Sequence, residues 1–194
     1  MKRKNGRIDM ALAILFAGLS LGFVAWMAAS PGFFDWAFAR HQNQLSWYIR
    51  PLFLIPFCLA AYKRSWAGIF ATVFFLLTSM LWFPVPDAAG EQVKAFLQME
   101  KEYLLGPWTP GKILVTLLVP ASLAALAAAL WKRSLWLGIS VLIFIAVSKL
   151  LWSVAFGGEA GLSILLPAAV GLGLCILCIV IGFRRLEKRK KKTL

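Results

Sequence analysis

Residues 61–68 form the sequence AYKRSWAG, and residues 130–138 form a variant of it, LWKRSLWLG. Each copy separates two long apolar runs. A Lys-Arg-Ser group in this position is typical of a short cytoplasmic turn between membrane-spanning helices, because basic residues that flank a span are retained on that side. The two stretches therefore predict two helical hairpins that cross a membrane in the same direction.

The composition indicates a membrane protein. Of the 194 residues, 61% are hydrophobic, whereas a soluble domain is about 45–50% apolar. Several apolar runs approach the ~20 residues with which a helix crosses a bilayer, and strand-like alternation is missing. We predict an all-α fold, a single bundle of six transmembrane helices at residues 1–183, followed by a basic tail at 184–194. The spans are expected at about 8–29, 45–62, 66–83, 112–131, 135–156 and 162–183.

The basic residues predict the orientation of these spans. With six spans, both termini and the turns at 63–65 and 132–134 lie on one side, and this side carries the whole net charge of +13, because the charges elsewhere cancel. The positive-inside rule makes this side cytoplasmic. The basic tail is then a topology signal and a contact for anionic lipids of the bilayer, and we predict no binding to nucleic acid.

The two hairpins match beyond their turns. Pro51 and Pro120 each precede the Lys-Arg pair by 12 residues, and after a one-residue insertion the match continues into the next helix. A parallel repeat explains this pattern, and separate selection of basic turns and interfacial Trp belts is the alternative. The matched residues are Trp66 with Trp136, Gly68 with Gly138, Ile69 with Ile139, Phe74 with Phe144, Leu81 with Leu151 and Trp82 with Trp152.

The predicted outer side carries two longer segments. Residues 31–44 are rich in aromatic residues and are expected to lie in the membrane interface. Residues 87–105 are predicted to form an amphipathic helix that begins at Asp87 as N-cap and ends before Gly106. This helix is expected to lie on the membrane or to cap the bundle with one apolar face. That face consists of Val93, Phe96, Leu97 and Leu104.

Arg50 and Lys149 lie deeper in the predicted membrane than a topology signal requires. Arg50 is one turn inside Trp47, and Lys149 is one turn inside Trp152. A charge at the bilayer centre costs about 2.5–3.5 kcal/mol, so such residues tend to have partners or a function. We predict an outward-facing substrate site for an anion, with Glu159 as the balancing carboxylate. The alternative is snorkelling, in which the long side chains lift their charges to the interface.

Cysteine is a second candidate for chemistry. Cys175 and Cys178 are three residues apart on the sixth predicted span, and Cys58 is expected at a similar depth on the second. A buried thiol pair can carry electrons or hold a soft metal. These thiols lack a companion ligand set, and a Cys in an apolar helix commonly behaves as a small hydrophobe. The redox or metal site is therefore the weaker hypothesis.

The sequence lacks a recognisable catalytic constellation. Its one histidine, His41, cannot supply the paired ligands of a membrane haem or a zinc cluster. A G-x-S-x-G motif, a Walker loop and paired intramembrane carboxylates are also missing. We predict no catalytic residue, no metal and no cofactor, and we favour a protein that is not an enzyme.

Small residues recur at four-residue spacing, which lets helices approach closely within a bundle or against another subunit. The pairs on the first span are Ala13 with Ala17, Gly18 with Gly22 and Ala25 with Ala29.

In size, topology and long outer segments the chain resembles the membrane-embedded binding subunits of energy-coupling-factor vitamin transporters, whose first helix carries a motif similar to Ala13-x-x-x-Ala17. The apparent repeat is a departure from that family.

Three functional hypotheses follow. The first, which the resemblance also implies, is a small transporter or the substrate-binding subunit of one. The second is a non-catalytic subunit or assembly factor of a larger membrane complex, with another membrane protein or a second copy as partner. The third is a thiol-based membrane oxidoreductase. Charges facing a cavity favour the first hypothesis, whereas snorkelled charges and an exposed small-residue strip favour the second.

The expected location is the cytoplasmic membrane of a prokaryote. The connections are compact, and the sequence has no Asn-x-Ser/Thr glycosylation acceptor. The terminal sequence Lys191-Lys192-Thr193-Leu194 has the form of a dilysine retrieval signal, which makes the endoplasmic reticulum the alternative.

Overall fold

Helices joined by short connections make up the fold. The computed structural model describes residues 6–162 and 165–192, and every regular element in these ranges is helical. Lys2, Arg3 and Lys4 and the terminal Thr193-Leu194, which the orientation and retrieval-signal predictions use, lie outside the described residues. The α-helices are α1 Gly6–Ala29, α2 Pro31–His41, α3 Leu45–Leu52, α4 Leu54–Lys63, α5 Trp66–Thr78, α6 Glu91–Leu105, α7 Pro110–Trp131, α8 Leu135–Gly161 and α9 Leu165–Lys192.

Within the described residues, five helices are long and apolar enough to cross a membrane: α1, α3 together with α4, α7, α8 and the Leu165–Gly182 part of α9. The prediction of six spans is not confirmed, because the third predicted span, 66–83, forms a shorter apolar helix, Trp66–Leu81. This helix consists of α5 and a 3-10 turn, Ser79–Leu81. At 1.5 Å per residue it is about 24 Å long. Pro84 and Pro86 follow, and proline does not continue a helix.

Prolines explain the break between α3 and α4. Pro56 lacks the N–H that would bond the carbonyl four residues earlier, and the helix is interrupted at Phe53. Helix α9 packs against this break. The Cys175 thiol donates a hydrogen bond to the Pro51 carbonyl oxygen at 2.8 Å, and Gly171 lies directly against the Pro51 ring. Glycine allows this close approach because it carries no Cβ.

The two Lys-Arg-Ser turns have the same backbone conformation. Arg64 and Arg133 are both left-handed, with φ of 59° and 60°, and this conformation ends the preceding helix. Ser65 and Ser134 then cap the next helix by accepting a hydrogen bond from a backbone N–H three residues later, at 3.1 and 3.3 Å. The turn geometry therefore occurs twice, whereas a repeat of the whole hairpin is not confirmed.

The hydrophobic core lies between the two hairpins. Helix α4 packs against α5 and α7, α7 packs against α8, and α9 contacts α3, α4 and α8. Apolar residues at helical spacing bring these faces together. The buried residues of this core are Phe57, Cys58, Ala60, Ala61, Tyr62, Ile69, Leu126, Leu130, Leu142 and Ile179.

Helix α1 packs along α5 and is fixed to it by a polar contact at its start. The Asp9 carboxylate accepts hydrogen bonds from the Ser65 hydroxyl and from the first two backbone N–H groups of α5, at 2.6, 3.0 and 3.3 Å. A carboxylate is favoured here because a helix N-terminus presents free N–H groups and positive partial charge. Of the α1 residues only Ala13 and Ser20 are buried, so most of its surface faces outward.

Helices α2 and α6 cover the end of the bundle opposite the two Lys-Arg-Ser turns, and we call this the capped end. Residues 31–44, predicted as an interfacial segment, form α2 and the turn that follows it. The Lys101 ammonium on α6 forms a salt bridge of 2.6 Å with Asp35 on α2. A second apolar cluster lies beneath these helices and consists of Phe34, Ala37, Phe38, Trp47, Met80, Val93, Phe96 and Leu97.

The predicted outer helix at 87–105 is α6, with two corrections. It begins at Glu91 and its N-cap is Gly90, not Asp87, because residues 87–90 are not helical. It ends before Gly106, as predicted. Three of the four apolar residues predicted on its inner face are buried, but Leu104 is 37% exposed because it lies in the last turn of the helix. The helix therefore caps the bundle through its first three turns.

The contact between α9 and the α3–α4 break predicts that Gly171→Ala destabilises the fold. The new methyl would overlap the rigid Pro51 ring, and overpacking costs about 1–3 kcal/mol. Gly173→Ala is the matched control on the same helix, since no atom lies within 4 Å of its Cβ position. Thermal unfolding of the detergent-solubilised variants measures the difference. Equal unfolding temperatures for the two variants would contradict the packing.

Candidate functional site

Four helices contribute ionisable side chains to one polar cluster at the capped end. Arg50 lies on α3 and Lys149 lies on α8. The two residues are far apart in the sequence, and the fold brings them to the same region. His41, the last residue of α2, and Glu100, in the third turn of α6, complete the cluster. Each of the four interacts with at least one other by hydrogen bond, ion pair or electrostatic attraction or repulsion.

His41 is the most buried member, with 4% of its surface exposed. Its Nε2 lies 2.9 Å from Arg50 Nη1, and its Nδ1 lies 3.0 Å from Ser46 Oγ. Arginine can only donate, so Nε2 is the acceptor and the neutral imidazole carries its proton on Nδ1. Nδ1–H donates to Ser46, whose hydroxyl donates to the Asn43 carbonyl at 2.8 Å. One directed chain of hydrogen bonds therefore runs from Arg50 to the turn after α2.

The surroundings of His41 disfavour its protonated form. Burial is the largest cause, and the positive charges of Arg50 and Lys149 add to it, so the pKa of His41 lies well below its usual 6.5. Protonation would also place a second N–H opposite the Arg50 guanidinium. The imidazole is accordingly held neutral, as an acceptor for Arg50.

Lys149 pairs with a carboxylate of the capping helix. Its ammonium lies 3.2 Å from Glu100 Oε1, 4.7 Å from the centre of the Trp152 ring and 5.7 Å from that of Phe96. Rings stabilise a cation at such distances. The Lys149 side chain is 52% exposed and that of Glu100 is 19% exposed. The ion pair therefore lies at the edge of the protein, with its carboxylate side turned inward.

The cluster contains more positive than negative charge. Glu100 attracts both Arg50 and Lys149, and the neutral His41 supplies no charge. Arginine has five N–H donors in a planar fork that matches carboxylate and phosphate groups, and Arg50 is half-buried. Such an arrangement can accept one further small anion, whereas it contains no nucleophile activated by a base.

Glu159, predicted as the balancing carboxylate, lies apart from this pairing. It is exposed near the end of α8, just after Gly158, whose φ of 52° and ψ of −131° kink the helix. The carboxylate beside Lys149 is Glu100. The sequence carried a signal for it, because Phe96, Glu100 and Tyr103 follow the i, i+4, i+7 spacing of one helix face. His41 and Ser46 had no comparable signal, since only the turn between α2 and α3 brings them together.

The Cys175 thiol lies within electrostatic range of both Cys58 and Cys178. Cys58 and Cys175 are buried, and Cys178 is exposed. Cys175 bonds the Pro51 carbonyl at the break in the helix, which gives it a packing role. Among the described residues, no group of three or more His, Cys, Asp or Glu side chains could hold a metal ion.

The network around His41 predicts that acid destabilises the fold. In the unfolded chain His41 takes up a proton below about pH 6.5, whereas the folded chain resists protonation. Stability should therefore be complete above that pH and fall as the pH decreases, by up to about 1.4 kcal/mol per unit. Unfolding temperatures between about pH 7.5 and 5 measure this.

His41→Gln is the control for that measurement. It keeps an amide oxygen for Arg50 and an N–H for Ser46 but does not titrate. Because the chain has one histidine, the variant should show a flat profile over this range. A parent protein that is equally stable at both pH values would show that His41 is not held neutral.

Comparison with protein-family models finds no matching family, and comparisons with curated proteins and with solved structures find no match either. The resemblance to vitamin-transporter subunits therefore stays a prediction. Function has to be inferred from the cluster at the capped end and from the exposed helix surfaces.

Proposed function

We propose that this chain is a multi-pass membrane protein that binds a small anionic solute at the capped end, as a transporter or as its substrate-binding subunit. The length and apolar character of five helices support the membrane location. We further propose that the end with the Lys-Arg-Ser turns is cytoplasmic, because these two turns and the basic end of α9 carry most of the net charge of +13. The capped end then faces outward.

The observation that carries the solute-binding proposal is that two cations share one carboxylate: Lys149 forms an ion pair with Glu100, and Arg50 lies within electrostatic range of it. Two cations that served only as interfacial anchors would each extend to solvent. Arg50 instead turns inward and uses His41 as a neutral acceptor, which orients the guanidinium without neutralising it. A solute with one carboxylate or phosphate group would complete the charge balance.

The test is binding of small carboxylates and phosphates to the purified protein, followed by flux into liposomes. Arg50→Gln and Lys149→Gln should each weaken binding by at least about tenfold, because hydrogen bonds to charged groups contribute about 1.5–3 kcal/mol. Lys63→Gln removes the same charge at the opposite end of the bundle and should bind like the parent. If all three variants bind equally, the cluster is an anchoring feature and the proposal is wrong.

A second candidate function is that of a subunit in a larger membrane complex. The observation that favours it is the open surface of α1. Gly18 and Gly22 are exposed, and no atom lies within 4 Å of the position where a Cβ would be. Ala25 and Ala29 continue this small-residue strip and are also exposed. Small residues at this spacing allow another transmembrane helix to approach closely.

Affinity purification from the native membrane tests this candidate. Gly18→Leu combined with Gly22→Leu should remove a stoichiometric partner while leaving the fold intact, because both positions face open space. Gly173→Leu, at an exposed and open position of α9, is the control and should retain the partner. A parent chain that purifies alone, or a partner retained by the double variant, would contradict this function.

A further inference from the structure

Four buried polar side-chain atoms in the described part of the chain have no hydrogen-bond partner: Tyr103 Oη, Thr116 Oγ1, Trp152 Nε1 and Ser153 Oγ. All four belong to the consecutive helices α6, α7 and α8. An unsatisfied buried polar group costs about 1–3 kcal/mol, so native proteins rarely keep several in one place without a ligand or ordered water. Their concentration on three helices therefore requires an explanation.

Two of these atoms belong to rings that are in contact, and a third lies on the face of α7 that carries Lys112. The ring of Tyr103 on α6 meets the ring of Trp152 on α8 edge to face, with centres 5.4 Å apart. Thr116 on α7 is one turn from Lys112, whose ammonium lies 5.0 Å from the centre of the Tyr103 ring. Residues four apart share a helix face, so Thr116 is directed to the same side of α7 as Lys112.

Two cations flank these faces. Lys112 lies over the Tyr103 ring and also donates to the Gly106 carbonyl at 2.8 Å, and Lys149 lies over the Trp152 ring. The indole N–H is only a donor, and the two hydroxyls can both donate. Donors flanked by ammonium groups match an acceptor that carries negative charge, whereas a cation or an apolar ligand would leave the donors unsatisfied.

We propose that Tyr103, Thr116 and Trp152 form a binding site for one oxyanion group, a phosphate or a carboxylate, between α6, α7 and α8. The site goes beyond the proposed function, because its hydrogen-bond donors are Tyr103, Thr116 and Trp152 and it shares only Lys149 with the proposed solute site. The oxyanion can be the headgroup of a lipid or a free anion in solution, since both present the same oxygen acceptors. The experiment below separates these two sources.

The experiment measures the unfolding temperature of delipidated protein in a neutral detergent with added probes. Inorganic phosphate and acetate represent the free anion. Phosphatidic acid represents the lipid headgroup, and diacylglycerol with the same acyl chains is its uncharged control. The parent should be stabilised by at least one oxyanion probe and not by diacylglycerol. A shift that remains in Arg50→Gln with phosphatidic acid alone assigns the site to lipid, and a shift that remains in that variant with phosphate or acetate assigns it to a soluble anion.

Two variants test the residues. Tyr103→Phe and Thr116→Val each remove a hydroxyl and should raise the half-saturating probe concentration by about threefold to tenfold. Tyr48→Phe and Thr72→Val are the matched controls, and the Thr72 hydroxyl already donates to the Gly68 carbonyl of its own helix at 2.7 Å. Neither control should change the response. The proposed solute site is weakened in Arg50→Gln, so a response that remains in this variant belongs to the present site and should weaken further when Tyr103→Phe is added.

The same variants give a second readout without any probe. Because neither hydroxyl has a partner within the described chain, its removal should leave the unfolding temperature unchanged or raise it. Three results would each overturn the inference: no stabilisation of the parent by any oxyanion probe, variants that respond like their controls, or a marked loss of stability in the absence of probe. A response lost only in Arg50→Gln would support the proposed function and reject this site.

Discussion

The structure depends on one constraint: backbone N–H and carbonyl groups in apolar surroundings must bond one another, because no water is there to bond them. In hydrocarbon an unpaired N–H or carbonyl costs several kcal/mol, so helices that pair every group internally are favoured. This explains why α1 can be a 24-residue helix with only two buried residues. It also explains why two exposed sets of backbone groups are bonded by nearby side chains. Asp9 and Ser65 bond the free N–H groups of α5, and Cys175 bonds the Pro51 carbonyl at the broken helix.

The same constraint separates structural from functional polar groups. Ser65, Ser134 and Cys175 each bond the backbone at a helix end or break, and this role accounts for them fully. The cluster of His41, Arg50, Glu100 and Lys149 is different, because its members bond or attract one another and retain net positive charge. Tyr103, Thr116 and Trp152 differ again, since their polar atoms bond nothing in the described chain. Binding proposals therefore concentrate at the capped end.

The capping helix α6 connects these observations. Its apolar residues Val93, Phe96 and Leu97 hold it against the bundle, and the same packing places Glu100 beside Lys149 and Tyr103 beside Trp152. A helix that simply lay on a membrane would not bring these side chains to α8. The salt bridge between Lys101 and Asp35 ties α6 to α2 as well. Movement of α6 would alter both proposed binding positions together, because both use its inner face.

The sequence by itself determined the helical class, the positions of five membrane-length helices, the two Lys-Arg-Ser turns and the amphipathic segment, because periodicity, length and turn residues are local properties. It predicted that Arg50 and Lys149 lie at the same depth, from their distance to Trp47 and Trp152. The end of α5 and the separation of α3 from α4 also have local signals, which are Pro84, Pro86 and Pro56. Only the tertiary structure decided that Glu100 lies beside Lys149, and that Arg50 is held by a neutral His41. These pairings join residues from different helices. The spacing of residues along one helix does not show which face of another helix will pack against it.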